Sequence, residues 1–175
     1  MKLNLKSIKN INISNNLIKN IAKLKSQEWK YTINIQKKWI KKNVQPNDIH
    51  NMLFINKKLI GYTLLRKRIL NFICKKNKDK KYFYLDTLIL DKKYRKEKYN
   101  HKTYGEILMT YNNKIIKKHK YISLLHCQNH MIKFYKKFNW IKANSKKIIT
   151  DDKKKLNIMI FNLLKLKSGK IYFNL

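Results

Sequence analysis

Thr103, Tyr104, Gly105 and Glu106 are spaced as a capping box, in which the Thr hydroxyl accepts the amide hydrogen three residues on and the Glu carboxylate reaches back to the Thr amide. Such a segment starts a helix. The first turn of a helix presents unpaired amides at the positive end of its dipole, which attract anions. Gly105 falls in that turn, and without a Cβ it lets a ligand approach the backbone closely. Arg95, Lys96, Lys98, His101 and Lys102 lie just upstream, a cationic loop feeding a helix start soon after a strand, the arrangement that cradles a pyrophosphate. An ordinary capped helix behind a solvated lysine loop would use the same residues. Asp86 stands out because, with Thr87, it interrupts a run of β-formers. Cys127 has no His partner at fixed spacing and sits in a hydrophobic segment, so it reads as packing. His119, His126 and His130 show no ligand spacing, and no metal is expected.

The elements that must position these residues follow from periodicity. Residues 2 to 11 alternate as a strand, after which Ser14 caps a helix striped by Leu17, Ile18, Ile21 and Leu24. A second helix, around Ile35, Trp39 and Ile40, stops before Pro46. Runs from Met52 to Ile55 and from Leu59 to Leu65 are split by Asn56, Lys57 and Lys58 as a hairpin, and Tyr82 to Leu90 is a third strand beyond the polar segment Asn71 to Lys81. Ile107, Leu108, Tyr111 and Ile115 stripe a helix ending near Lys117, Lys118 and His119, where cations suit the dipole. Tyr121 to Cys127 is a buried-type strand. Met131, Ile132, Tyr135 and Phe138 stripe another helix, and a last strand covers Leu156 to Leu163. The order β, α, α, β, β, β, α, β, α, β describes one α+β domain over residues 1 to 175, with a mixed, mainly antiparallel central sheet flanked by helices.

In that order of elements and residues the chain resembles the GNAT superfamily of acyl-CoA-dependent N-acyltransferases. The resemblance is strongest from Tyr82 to Trp140: the strand ending Leu88, Ile89, Leu90, then Tyr94 and Arg95, then Gly105 with Leu108 and Met109. Leu124 to Cys127, followed by Phe134, Tyr135, Lys136, Lys137, Phe138, Asn139 and Trp140, is similar to the family's fifth strand and the helix after it. The resemblance implies a GNAT-type fold and an N-acetyltransferase that moves an acetyl group from acetyl-CoA to a primary amine directly, in a ternary complex. Backbone groups of Leu88, Ile89 and Leu90 would hold the pantetheine, and the segment His101, Lys102, Thr103, Tyr104, Gly105, Glu106 would take the phosphates. Tyr135 aligns with the family's acid for the leaving thiolate, and Asp86, with Tyr84 two residues before it, holds a position from which members supply a base.

Two departures bear on this. The phosphate loop is longer than usual: counted back from Gly105, Asn100 and Thr103 occupy the motif's places, whereas Arg95 stands where the family's Arg follows its strand. The pyrophosphate contact is therefore Arg95 if the loop folds back, and His101 or Lys102 if the helix sets the register. Asn139 also replaces the usual Gly before the final aromatic, and Asn is the non-Gly residue best suited to a positive φ.

Composition bounds the alternatives. The formal charge is +34, from 43 basic and 9 acidic residues, yet 43% hydrophobic residues exclude a compositionally disordered chain. Such charge suits nucleic acid or a ribosomal surface, and a basic binding protein on the same fold without catalysis is the alternative function. Only Arg66, Arg68 and Arg95 are arginine, however, and lysine is spread along nearly every segment rather than clustered for bidentate contacts. Two cysteines, Cys74 and Cys127, make no disulfide framework. With no signal-peptide core and no membrane-length apolar run, a cytoplasmic setting is expected. The acceptor pocket has least signature; Trp29, Tyr31 and Trp39 either line it or pack.

Overall fold

The computed structural model describes residues 2–72, 80–144, 148–150, 156–162 and 171–173. Cys74 and most of the polar segment after residue 72 lie outside the described residues. Contacts group into two compact units, Met1–Arg66 with Thr87–Asn112, and Lys67–Asp86 with Asn113–Leu175.

In the first unit, strand β1 (Leu3–Lys9) pairs antiparallel with β2 (Ile49–Ile55), which pairs antiparallel with the first part of β3 (Lys58–Phe72). Asn56 and Lys57 turn this hairpin with φ of 45° and 69°, so the connection is tighter than the three-residue break read from the sequence. Helix α1 (Asn15–Ser26) is capped by Ser14, whose Oγ accepts the Leu17 amide at 3.3 Å, and helix α2 (Ile33–Asn43) by Thr32, which does the same for Ile35. Ile18, Ile21, Leu24 and Ile40 of these helices pack on Met52, Tyr62 and Leu64. The neighbouring Leu53 belongs instead to a cluster with Ile60, Tyr104 and Leu108, so alternation along β2 gives each sheet face its own core. Tyr104 and Leu108 are on helix α3 (Tyr104–Lys118).

Gly61 fixes how closely these layers approach. The β2–β3 register shifts between Leu53 and Phe54, and a Cβ built at Gly61 would lie 2.7 Å from Leu90 Cδ2 and 3.1 Å from Leu108 Cδ2. Leu90 ends strand β4 (Lys80–Leu90), whose continuation is tied to β3 by the Asp91 amide, which donates to the Ile60 carbonyl at 2.8 Å.

Two short strands, β5 (Lys98–Tyr99) and β6 (Lys102–Thr103), precede α3. In the second unit the start of β4 pairs parallel with β7 (Ile122–Cys127), from Tyr82↔Ile122 to Tyr84↔Leu124. Helix α4 (Ile132–Lys136) follows a single 3-10 turn, Asn129–Met131, and is shorter than the stripe from Met131 to Phe138 suggested. Strand β8 (Ile141–Lys142), β9 (Ile148–Thr150), β10 (Asn157–Phe161) and β11 (Ile171–Phe173) complete the order. β10 pairs antiparallel with both β7 and β8, while β11 pairs antiparallel with the end of β3 and parallel with β9. The fold is thus α+β with a mainly antiparallel sheet and flanking helices. The sequence reading found β10 but not β8, β9 or β11, because strands this short carry no alternation to detect.

Candidate functional site

The capping box forms as its spacing predicts. Thr103 Oγ1 accepts the Glu106 amide at 3.2 Å, and the Thr103 amide donates to Glu106 Oε2 at 2.8 Å. Tyr104 and Gly105 are buried at this helix start, whereas His101 and Lys102 are exposed. The extra length of the loop is taken up by the β5–β6 hairpin, whose turn residues Asn100 and His101 have φ of 48° and 64°. His101 therefore sits at a hairpin tip and Lys102 on the strand running into α3.

Arg95 is committed elsewhere. Its Nε donates to the Leu90 carbonyl at 3.3 Å, and its Nη2 pairs with Glu28 Oε2 in the segment after α1. Glu28 was missed by the sequence reading, since its residue type and distance in the chain gave no signal of this partner. Asp91, at the end of β4, accepts the Lys93 amide and pairs with Lys58 at 3.3 Å. Burial pushes its carboxyl up, but the Lys93 amide and the Lys58 ammonium outweigh that and hold it below its ordinary value. Leu88 and Leu90 are half-buried beside buried Ile89.

These residues fit an acyl-CoA in chemistry: the His101 ring and the Lys102 ammonium with a capped helix start for the phosphates, and the partly exposed apolar end of β4 for the pantetheine. Both sets lie in the first unit.

Tyr135 and Asp86 lie in the second. Tyr135 is buried on α4, with the Phe134 ring edge-on at 5.2 Å and Trp140 at 6.1 Å. Burial raises its phenol well above the ordinary value, with a further push from Cys127. The Cys127 thiol is itself raised by burial, against a smaller pull from Lys142, so it stays a protonated packing group. The turn holding Tyr135 is stitched by Asn113 of α3, whose Nδ2 donates to the Phe138 carbonyl at 2.9 Å and whose Oδ1 accepts Trp140 Nε1–H at 3.0 Å. Asn139 has φ of 62°, the conformation its place in the motif requires. Trp140 is fully buried and stacks on Phe161 at 5.4 Å.

Asp86 is half-buried on β4. Two residues earlier, Tyr84 Oη lies 3.3 Å from His126 Nδ1 across the parallel pair β4–β7. The sequence reading set His126 aside for want of metal spacing; its parity on β7, two past Leu124, gave only the face it shares, and the β4–β7 register is what brings it to Tyr84. Asn112 and Asn113 were also missed. Asn112 is fully buried and accepts from Asn51 Nδ2 at 2.9 Å and Thr63 Oγ1 at 3.0 Å, and adjacent Asn in a helix otherwise rich in apolar residues was the available clue. Among the described residues no group of His, Cys, Asp or Glu is placed to hold a metal ion, and no helix is long and apolar enough to cross a membrane.

No protein-family model matches the sequence, and no curated protein matches it by sequence. Solved structures match its fold. An acyl-CoA N-acyltransferase from Pseudomonas aeruginosa is similar with a TM-score of 0.61 at 11% identity, over 91% of this chain and 97% of the other. The PaiA N-acetyltransferase from Thermoplasma acidophilum, in complex with coenzyme A, is similar with a TM-score of 0.56 at 17% identity, over 91% and 98%. The ribosomal-protein-S18-alanine N-acetyltransferase from Escherichia coli is similar with a TM-score of 0.59 at 11% identity, over 91% of each chain.

Proposed function

We propose that this chain, which has the GNAT-type acyl-CoA N-acyltransferase fold, moves an acetyl group from acetyl-CoA to a primary amine by direct transfer in a ternary complex. The observation that carries the reading is the reciprocal capping box that starts α3 at Thr103 to Glu106, with His101 and Lys102 immediately before it. Its first-turn amides and the positive end of the helix dipole attract anions, which suits the phosphates of a coenzyme.

In this reading His101, Lys102 and the first turn of α3 hold the phosphates, and Arg95, already engaged by Glu28, braces the loop behind them. Backbone groups of Leu88, Ile89 and Leu90 orient the pantetheine and the thioester carbonyl, polarising it as an oxyanion hole does. Asp86 takes a proton from the attacking amine, which must lose it for the amide to form. Tyr135 gives its proton to the departing thiolate. Its raised phenol is protonated throughout the neutral range, so it enters each cycle as a donor. The bond formed is nitrogen to acyl carbon, the bond broken is acyl carbon to sulfur, and the sulfur leaves as a thiol.

Calorimetric titration with acetyl-CoA tests the reading. Saturable binding of a single equivalent is expected, and no heat of binding up to about 1 mM cofactor, the weak limit of useful affinity, would remove it. Steeply salt-dependent RNA binding without cofactor affinity would instead favour a basic binding protein on this fold.

A further inference from the structure

An amine that arrives as an ammonium must lose two protons on the way to an amide: one to free the lone pair that attacks, and a second as the amide forms. In the transfer proposed for this site Asp86 takes the second, and the first has no acceptor. The strands that carry Asp86 supply one. The parallel ladder of β4 and β7 ends at Tyr84↔Leu124, although both strands run on. Asp86 and His126 each lie two residues past that last pair, so by alternation they share a face with Tyr84. On that face the Tyr84 hydroxyl lies 3.3 Å from His126 Nδ1, with the rings edge-on at 5.8 Å. Both side chains are half-buried, and β10 sets apolar Ile158 opposite His126. Cys127, next along β7, alternates to the other face, where its thiol adds to the push on Tyr135. The proposed acid and the Tyr84–His126 pair thus belong to opposite faces of the strand.

We propose, resting on the acetyl-transfer reading, that Tyr84 and His126 together remove the first proton: the ammonium gives it to Tyr84 Oη as the Tyr84 hydroxyl proton passes to His126 Nδ1. An ammonium N–H bond and the phenol O–H bond break, and a new O–H bond and an imidazole N–H bond form. The phenol ends neutral, and the imidazolium returns the proton to water. Tyr84 touches the amine, and His126 acts through it. A phenol alone stays protonated at neutral pH, its ordinary pKa being about 10, and needs the imidazole behind it to act as an acceptor. Imidazole suits the task because its ordinary pKa lies near neutrality, where it both takes up a proton and releases one. The 3.3 Å separation is wide for an O–H···N bond, as catalytic hydrogen bonds commonly are before substrate tightens them.

Paired amines test this on the whole protein with acetyl-CoA. Benzylamine arrives as an ammonium at neutral pH and aniline as the free amine, so only benzylamine has the first proton to lose. His126→Gln should lower kcat/KM for benzylamine by about 10²-fold, the lower worth of a positioned base, and for aniline by less than about threefold. Tyr84→Phe, which keeps the ring, should do the same, and the double variant should lose no more than either alone, because the two act as one unit. Equal losses for the two amines would mark a structural pair and overturn the proposal, as would losses that multiply in the double variant. Two-bond nitrogen–proton NMR correlations of the histidine-labelled protein give a readout independent of turnover. The neutral His126 ring should carry its proton on Nε2, with Nδ1 accepting from Tyr84, and a proton on Nδ1 overturns the relay. Calorimetric titration with acetyl-CoA separates the two readings. Absent cofactor binding in the unsubstituted protein removes the transfer reading and this inference with it, whereas intact binding with equal amine losses removes this inference alone.

Discussion

Tyr135 shows how a single side chain is prepared by its surroundings. The ring is packed between Phe134 and Trp140, and burial keeps its hydroxyl protonated. Tyr135→Phe keeps the ring and removes only the proton donor. Turnover measured with acetyl-CoA and an accepted amine should fall by about 10² to 10⁴, the usual worth of a positioned acid, while calorimetric affinity for the cofactor changes little. Unchanged turnover would take Tyr135 out of the mechanism. His50 is prepared in the opposite sense. Asn10 donates Nδ2–H to the Val44 carbonyl, so its Oδ1 faces His50 Nε2 at 3.0 Å and must accept. Nδ1 then accepts from the Tyr62 hydroxyl at 2.8 Å, leaving a neutral imidazole with both nitrogens used.

At the scale of elements, the turn from α4 into Trp140 is the most tightly specified. Asn139 holds a positive φ there, and Asn113 of α3 satisfies the Phe138 carbonyl and the Trp140 indole together. Asn139→Ala should lower unfolding free energy by about 1 kcal/mol in urea melts, the cost of a Cβ in the left-handed region, whereas Asn139→Gly should be neutral or slightly stabilising. Equal loss in both variants would mean the Asn side chain, not the backbone angle, matters. The helix start of α3 makes a second case. Thr103→Ala removes the cap and costs about 1 kcal/mol of stability. It also leaves the Glu106 amide without its acceptor and loosens the first turn of α3 at the proposed phosphate site, so cofactor affinity should drop several-fold by calorimetry while the Tyr135 region keeps its near-ultraviolet signal.

For the whole molecule, the buried imidazole makes stability depend on pH. Burial lowers the His50 pKa from 6.5 to about 4, partly offset by Asp48 and aided slightly by Lys25. Above 6.5 neither state is protonated at this residue. Between 6.5 and 4 the unfolded chain takes up the proton and the native state does not, so stability falls with pH across that window and levels below it. The gap is worth roughly 3 kcal/mol at 1.36 kcal/mol per pKa unit. Urea melts from pH 7 to pH 4 should show the decline, and His50→Gln should flatten it; an unchanged slope in the variant would assign the decline to other groups. Asp91, held below 3.8 in the native state, begins to lose its own contribution as pH nears 3.8, so it adds to the decline only at the acid end of the window.

The sequence by itself determined what repeats locally. Apolar periodicity marked α1, α2, α3 and the core strands, Ser14 and the Thr103 to Glu106 spacing announced the caps of α1 and α3, and the motif around Asn139 required a residue tolerant of positive φ. These rest on contacts between residues close in the chain, which leave a pattern in the letters. The tertiary structure decided the rest. That Arg95 answers to Glu28, that Asn112 is buried among Asn51 and Thr63, and that Tyr84 meets His126 all depend on partners far apart in sequence. Such pairs have no period to betray them, and for a lysine-rich chain composition adds none, so only the packing of the elements could reveal which polar groups are partners and which remain at the surface.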